Sequence, residues 1–206
     1  MRQTRAEKVQ ALFAYDASYL TGTVVLAGMD EAGRGPLCGN VVAACVVMPR
    51  DRDPILWVDD SKKLSEARRE SVYAAIRETA LYVGIGEATP EEIDRVNILE
   101  ATKNAMRRAA AQVPADLYLI DALQGLGLSG REIGIIHGDA LSYSIAAASI
   151  VAKVTRDREM QEADLLYPGY GLARNKGYGT AEHIAALKAN GPCPIHRRSF
   201  IGHFVD

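Results

Sequence analysis

Three short apolar runs in this chain each lead directly into acidic residues. Residues 24–29 run into Asp30-Glu31, residues 117–120 into Asp121, and residues 133–138 into Asp139. Apolar runs this short read as buried strands rather than helices. In open α/β sheets, ligands gather beyond the carboxyl ends of the strands. Four carboxylates from distant parts of the sequence are therefore expected at one edge of one sheet. Like charges held together repel and need a compensating cation. A divalent metal site is the leading expectation.

Between these runs the spacing turns helical. Residues 4–20, within an N-terminal segment 1–22, carry a partial apolar stripe of Val9, Leu12, Phe13, Tyr19 and Leu20,. Residues 40–48 form a further strand, joined to 24–29 by Gly33-Arg34-Gly35-Pro36, a connection that an antiparallel pair would suit. Ser65 is placed to cap a helix reaching about Thr79,. A strand is expected at 81–87. Thr89-Pro90-Glu91-Glu92 then has the composition of a helix start,. A longer helix follows over about 97–112, then strand 116–121, a turn-rich loop at 125–130, and strand 131–136. A long helix from Ser142 to about Asp164 is small and apolar nearly all round in its first half, which suits tight burial against a sheet,. Residues 180–190 are the last clear helix before an irregular tail. The fold class is α/β. Residues 1–206 read as a single domain with a C-terminal helical region from about 165 to 206.

The 206 residues carry a net charge of −2, so binding to nucleic acid must come from local patches rather than from the whole molecule,. The stretch from Arg174 onward has five basic residues (Arg174, Lys176, Lys188, Arg197 and Arg198) against Glu182 and Asp206. A solvated tail fits the same count, so that alternative stays open. Cys38, Cys45 and Cys193 lack paired spacing and suggest neither disulfides nor a zinc motif,. Buried packing is expected for Cys38 and Cys45. No apolar run reaches membrane-spanning length free of polar residues, and no signal-peptide core is evident,. A soluble, cytoplasmic, membrane-independent monomer is the expectation.

Asp30, Glu31, Asp121 and Asp139 offer only oxygen ligands, which suit Mg²⁺ or Mn²⁺,. Two such ions can activate a water and stabilise the leaving oxygen of a phosphodiester. Neighbouring strand residues point to opposite faces, so Asp30 and Glu31 can share a site only if their strand ends there. The glycines at 33 and 35 favour such an ending. Gly33-Arg34-Gly35 lets backbone approach a ligand closely, with Arg34 available to a phosphate and the loop to a 2′-hydroxyl,. In Asp60-Ser61-Lys62-Lys63-Leu64-Ser65, Lys62 and Lys63 are candidate phosphate contacts, although two solvated lysines beside a helix cap read the same way,. Tyr178, between glycines on a basic segment, suits stacking on a sugar or base,. Tyr167 and Tyr170 are assigned to packing. His137, His183, His196 and His203 share no ligand spacing and are expected to support the structure or the site from outside it.

In this order, these segments resemble bacterial ribonuclease HII. The resemblance rests on Gly28-Met29-Asp30-Glu31-Ala32-Gly33-Arg34-Gly35-Pro36-Leu37, on Asp60 to Ser65, and on Asp94-Arg95-Val96-Asn97-Ile98-Leu99. It continues through Gly138-Asp139, Ile145 to Asp157, Lys176-Gly177-Tyr178-Gly179-Thr180 and Ile195-His196-Arg197-Arg198-Ser199-Phe200. It implies an RNase H-like fold: a mixed five-stranded sheet flanked by helices, with a C-terminal helical region. It also implies a metal-dependent endonuclease that cuts the RNA strand of RNA–DNA hybrids. Such an enzyme would also cut 5′ of single ribonucleotides embedded in duplex DNA, leaving 3′-hydroxyl and 5′-phosphate ends. By motif match, Asp30, Glu31, Asp121 and Asp139 become the catalytic ligands of Mg²⁺ or Mn²⁺. Gly33, Arg34 and Gly35 become the loop that senses the 2′-hydroxyl, and Tyr178 the residue stacked at the RNA–DNA junction. The chain departs from the pattern at Ala122-Leu123, where a glycine is expected soon after the acid, and at Asn40, where a proline is expected. The tail from Phe200 to Val205 lacks a convincing sliding-clamp pattern. The related ribonuclease HIII carries an extra N-terminal domain, whereas only about 23 residues precede the first strand here. A catalytically silent hybrid binder would gain nothing from acids beside phosphates. A small-substrate phosphatase would be indifferent to duplex length.

Overall fold

The computed structural model describes residues 4–20, 22, 24–59 and 61–205. Five strands form one sheet: β1 (Leu26–Ala32), β2 (Val41–Val47), β3 (Tyr82–Ala88), β4 (Leu117–Asp121) and β5 (Arg131–Ile135), in the order β3-β2-β1-β4-β5. β1 pairs antiparallel with β2 and β2 antiparallel with β3, whereas β4 runs parallel to β1 and β5 parallel to β4. The mixed five-stranded sheet that the resemblance implied is the observed one.

Alternation along β2 divides the core. Val41, Ala43, Cys45 and Val47 face one layer, and Ala44, Val46 and Met48 face the other,. The first layer is α4 (Ile98–Ala110), reached through the short α3 (Pro90–Val96). The two helices are separated by Asn97, whose φ of 72° breaks the helical path while its side chain caps Leu99 and Glu100 at 2.9 and 3.1 Å. The second layer holds α1 (Arg5–Ala17), α2 (Glu66–Thr79) and the 24-residue α5 (Tyr143–Leu166). Ser65 caps α2, as its sequence context predicts, and Ser142 caps α5.

The small residues of α5 let it lie almost on the sheet backbone. A Cβ placed on Gly28 of β1 would fall 2.0 Å from the Ser144 carbonyl carbon, so only glycine fits there. The start of α5 is fixed by the buried Asp16 of α1, which accepts from the Ser144 N–H at 2.8 Å and from Arg50 at 3.0 Å.

Beyond α5 the chain forms α6 (Leu172–Asn175), α7 (Ala181–Asn190) and α8 (Arg198–Ile201). Of these, periodicity predicts only α7. One-turn helices are too short to show a period and are set by their packing. They bury Leu172, Leu187 and Ile201 with Leu37, Cys38 and Met160 in a separate cluster. No helix among the described residues is long and apolar enough to cross a membrane.

A carboxyl pair at the edge of this layer gives a stability test. Asn40 donates to Glu87 of β3 at 2.9 Å and to the half-buried Glu159 of α5 at 3.4 Å. Burial, followed by the nearby Glu87 charge, pushes the Glu159 carboxyl up from 4.5 to about 8. The folded protein thus keeps a proton that the unfolded chain releases near pH 4.5, and stability falls as pH rises through the window up to about 8,. Glu159→Gln keeps a donor toward Glu87 but cannot titrate. Its melting temperature should hold up better than that of the unmodified protein as pH rises through this window. Parallel melting curves across the window would show that Glu159 is not the titrating group.

Candidate active site

The strand β1 does not end before its acids, contrary to the expectation drawn from the glycines. It continues to Ala32, with Asp30 opposite Ala44 and Glu31 opposite Ala43 on β2. The two side chains therefore start on opposite faces. They share a site because the other neighbour of β1 stops short: pairing with β4 ends at Met29 and Ile120. Past that point the sheet is open on one side, and both acids line a single cleft of about 210 Å³.

The other two acids come from the end of β4 and from the turn beyond β5, and neither is part of the cleft lining itself. Asp121 is the last residue of β4, and its Oδ1 accepts from the Gly138 N–H at 2.6 Å. Asp139 lies on a 3₁₀ turn, Gly138–Ala140, not directly after a strand, because β5 ends at Ile135 and His137 reverses the chain with φ 57°. Next to Asp121, Ala122 adopts φ 49°. That left-handed conformation explains why glycine suits this position, and holding alanine there costs roughly 1–2 kcal/mol.

Asp30, Glu31 and Asp121 are crowded together. Burial raises the Asp30 carboxyl well above its ordinary value, and the charges of Glu31 and Asp121 add to the effect. Hydrogen bonds from Ser149 and from the Glu31 N–H oppose the rise. Burial also raises Glu31, against the pull of Arg34, whose Nη1 is 3.4 Å from Oε1. The Glu31 Oε2 atom is buried with no hydrogen-bond partner among the described residues. An orphaned carboxylate oxygen among like charges is an unmet demand for a cation. The all-oxygen donor set fits Mg²⁺ or Mn²⁺.

The loop of Gly33, Arg34 and Gly35 lines the same cleft. Gly33 has φ 98°, and a Cβ there would meet Arg156 Nε at 2.1 Å. Gly35 is less constrained, with the Tyr178 ring 3.6 Å from its Cβ position. Tyr178 is 47% exposed and stands across this loop. Its N–H donates to the Asn175 carbonyl and its own carbonyl receives Thr180 N–H, so a tight turn presents the ring. Lys62 reaches the cleft, with Nζ 3.8 Å from Asp139 Oδ2. Lys63 is exposed on the same 3₁₀ turn, outside the cleft lining. Asp60 lies outside the described residues.

Sequence reasoning missed part of the cleft. Ser149, Lys153 and Arg156 line it from α5. Their spacing of four and three residues marks one helical face, a signal that begins where the small apolar first half of the helix ends. Ser149 also contacts the Ser61 hydroxyl at 2.9 Å. The basic tail needs correction as well. Arg197 is fully buried and bonded to backbone carbonyls, so it is no surface cation. Arg174 pairs with Glu182, and Lys176 lies 3.8 Å from Glu66.

His183 and His196, distant in sequence, meet at 3.1 Å between their Nε2 atoms, beside the buried Cys38 and Cys193. His183 Nδ1 bonds the Tyr178 carbonyl at 3.0 Å, so this buried group supports the tyrosine from below. Burial and the neighbouring His183 push His196 down to about 4, leaving it neutral at physiological pH. His137 is exposed beside the Asp139 turn.

Comparison with known proteins gives the family and the fold. Residues 27–203 match the family model described as Ribonuclease HII. The chain is 50% identical over 203 residues to a Ribonuclease HII of Ruminiclostridium cellulolyticum, covering 97% of this chain and 79% of that one. It is 54% identical over 183 residues to a Ribonuclease HII of Geobacter sulfurreducens, covering 88% and 84%. Among solved structures, it is similar to the RNase HII of the PCNA:RNase HII complex from Archaeoglobus fulgidus. That likeness has a TM-score of 0.74 at 29% identity over 85% of this chain and 94% of that one. Its fold is also that of Bst-RNase HIII in complex with Mn²⁺, with a TM-score of 0.65 at 21% identity over 91% and 65% of the two chains.

Proposed function

The chain belongs to the ribonuclease HII family, a ribonuclease H acting on RNA–DNA hybrids, and we propose that its cleft also cuts 5′ of a single ribonucleotide embedded in duplex DNA. The products carry 3′-hydroxyl and 5′-phosphate ends, which suits removal of misincorporated ribonucleotides and RNA primers. The observation that carries this reading is the crowding of Asp30, Glu31 and Asp121, with an orphaned Glu31 oxygen, directly beside a glycine loop. In this reading Asp30, Glu31, Asp121 and Asp139 are the catalytic acids and hold two Mg²⁺ or Mn²⁺ ions. Bound there, the ions supply an activated water and neutralise charge on the departing 3′-oxygen.

The protein's own groups do the rest. Ser149 and the Glu31 N–H fix the Asp30 carboxylate in one orientation. The Gly138 N–H does the same for Asp121. The 33–35 loop carries its backbone close to the sugar, where a 2′-hydroxyl distinguishes RNA from DNA. Arg34 and Lys62 provide positive charge for the flanking phosphates, and Lys63 adds to the field from the same turn. Tyr178 stacks on the sugar at the junction. Residues from about 165 onward form the region that contacts substrate.

The test is an end-labelled DNA duplex containing one ribonucleotide, incubated with Mg²⁺ and separately with EDTA. One metal-dependent cut on the 5′ side of the ribonucleotide is expected. Cleavage of long hybrids with no cut at the single ribonucleotide would overturn the junction reading. Tyr178→Ala should lower kcat/KM at the single ribonucleotide by about ten- to a hundredfold, from a stacking contribution of roughly 1–3 kcal/mol. Its melting temperature should barely move, because the ring is half exposed. Loss of stability without loss of selectivity would remove Tyr178 from the site.

A further inference from the structure

The side chain of Arg197 is fully buried, and its hydrogen bonds end on one short segment of backbone. Nη2 donates to the Gly33 carbonyl at 2.6 Å and to Gly39 at 2.7 Å. Nη1 donates to Pro36 at 2.8 Å and to Arg34 at 3.1 Å, and Nε to Gly39 at 3.0 Å. A second buried guanidinium, Arg156, lies beside it and bonds the carbonyls of Cys38, Asn40 and Lys176 at 3.1, 3.0 and 2.9 Å. Burying two cations side by side costs several kcal/mol per ion before any compensation. Here the compensation comes from backbone carbonyls, and among the described residues no salt bridge reaches either group. Such an arrangement does little for stability that a well-packed apolar cluster could not do. What it does is fix a loop whose glycines would otherwise leave it free.

The direction of the fixed peptides matters. There are no cis peptide bonds among the described residues. In a trans peptide the C=O and N–H point in opposite directions. With the Gly33 and Arg34 carbonyls turned onto Arg197, the N–H groups of Arg34 and Gly35 must point the other way. Both residues line the cleft, and neither N–H has a backbone acceptor among the described residues. The cation also polarises those two peptides, which strengthens the donors on their far side.

We infer that Arg197 is a positioning residue for substrate discrimination: it holds the 33–35 loop so that the Arg34 and Gly35 N–H groups are presented to a ribonucleotide. This deepens the proposed function and rests on it.

The test measures fluorescence anisotropy of two labelled DNA duplexes, identical except for one ribonucleotide. Binding is measured with Ca²⁺ replacing Mg²⁺, and integrity of the duplex is checked on a gel. The unmodified protein should prefer the ribonucleotide duplex. Arg197→Lys keeps the charge but loses the planar fork, and should reduce that preference by about tenfold. Affinity for the all-DNA duplex should stay near its original value. A purely structural role would lower the melting temperature or the active fraction while leaving the preference of the folded molecules intact, and that result would overturn the inference. Should Arg197→Lys not fold, Phe200→Leu serves instead. It removes the ring 5.2 Å below the guanidinium, and an undiminished preference in that variant would likewise overturn the inference. If the unmodified protein shows no preference at all, the single-ribonucleotide reading itself fails, and the role of Arg197 with it.

Discussion

Asp30→Asn is expected to lower the rate of hybrid cleavage at saturating Mg²⁺ by on the order of a thousandfold or more, corresponding to several kcal/mol of transition-state stabilisation. The substitution is nearly isosteric. The amide oxygen can still accept from Ser149 and from the Glu31 N–H, so the strand and α5 have no reason to move. What disappears is one negative charge at the centre of the acid group. Hybrid affinity should change by less than about threefold, because phosphate contacts come from other residues and losing a carboxylate only reduces repulsion. Without metal, the variant should melt at a higher temperature than the unmodified protein, since a buried carboxylate crowded by Glu31 and Asp121 destabilises the metal-free fold,. Turnover and melting temperature thus move in opposite directions. Undiminished turnover would remove Asp30 from the catalytic group, and a lower melting temperature would show that its carboxylate serves the fold.

Both the fold and this acid group left clear marks in the sequence, for a physical reason. Acids that follow three separate apolar runs are hard to attribute to solvation, even though Asp30 and Glu31 lie within β1 and Asp139 lies on the turn beyond β5. The helix caps at Ser65 and Thr89 were legible because a hydroxyl bonding the third N–H ahead is a local rule. The long-range features were not legible. Whether Asp30 and Glu31 share a cleft depends on where β4 stops pairing with β1, and nothing near residue 30 encodes that. Lys153 and Arg156 appear polar on a helix, but which face meets the cleft is decided by packing. Arg197 reads as a surface cation because its partners are backbone carbonyls, which look the same in every sequence. The pairing of His183 with His196 is hidden likewise, since their contact spans a helix, a turn and the tail.

The second large effect concerns Gly28. It precedes Asp30 by two residues and so points to the same face of β1, toward α5. Adding a single methyl group there places carbon 2.0 Å from the Ser144 carbonyl carbon and 2.3 Å from both Ser144 O and Ile145 N. All three are backbone atoms at the start of α5, where they cannot swing aside as a side chain would. That helix start is tied to Asp16 through the Ser144 N–H and capped by Ser142. The helix must therefore shift as a body, carrying Ser149, Lys153 and Arg156 away from the cleft. Gly28→Ala should cost about 3 kcal/mol or more, at or beyond the upper end for overpacked cores, and lower the melting temperature by roughly 10 °C. The fraction that folds should also turn over slowly, because Ser149 no longer supports Asp30. Gly35→Ala is the matched comparison. The same methyl group there lies 3.6 Å from the Tyr178 ring, an ordinary contact at a position with no positive-φ requirement. It should leave the melting temperature within about 2–4 °C of the unmodified protein, the equivalent of roughly 1 kcal/mol. Equal melting temperatures for the two variants would mean that α5 can yield at its start. The close approach of α5 to β1 would then not be what sets the acids in place.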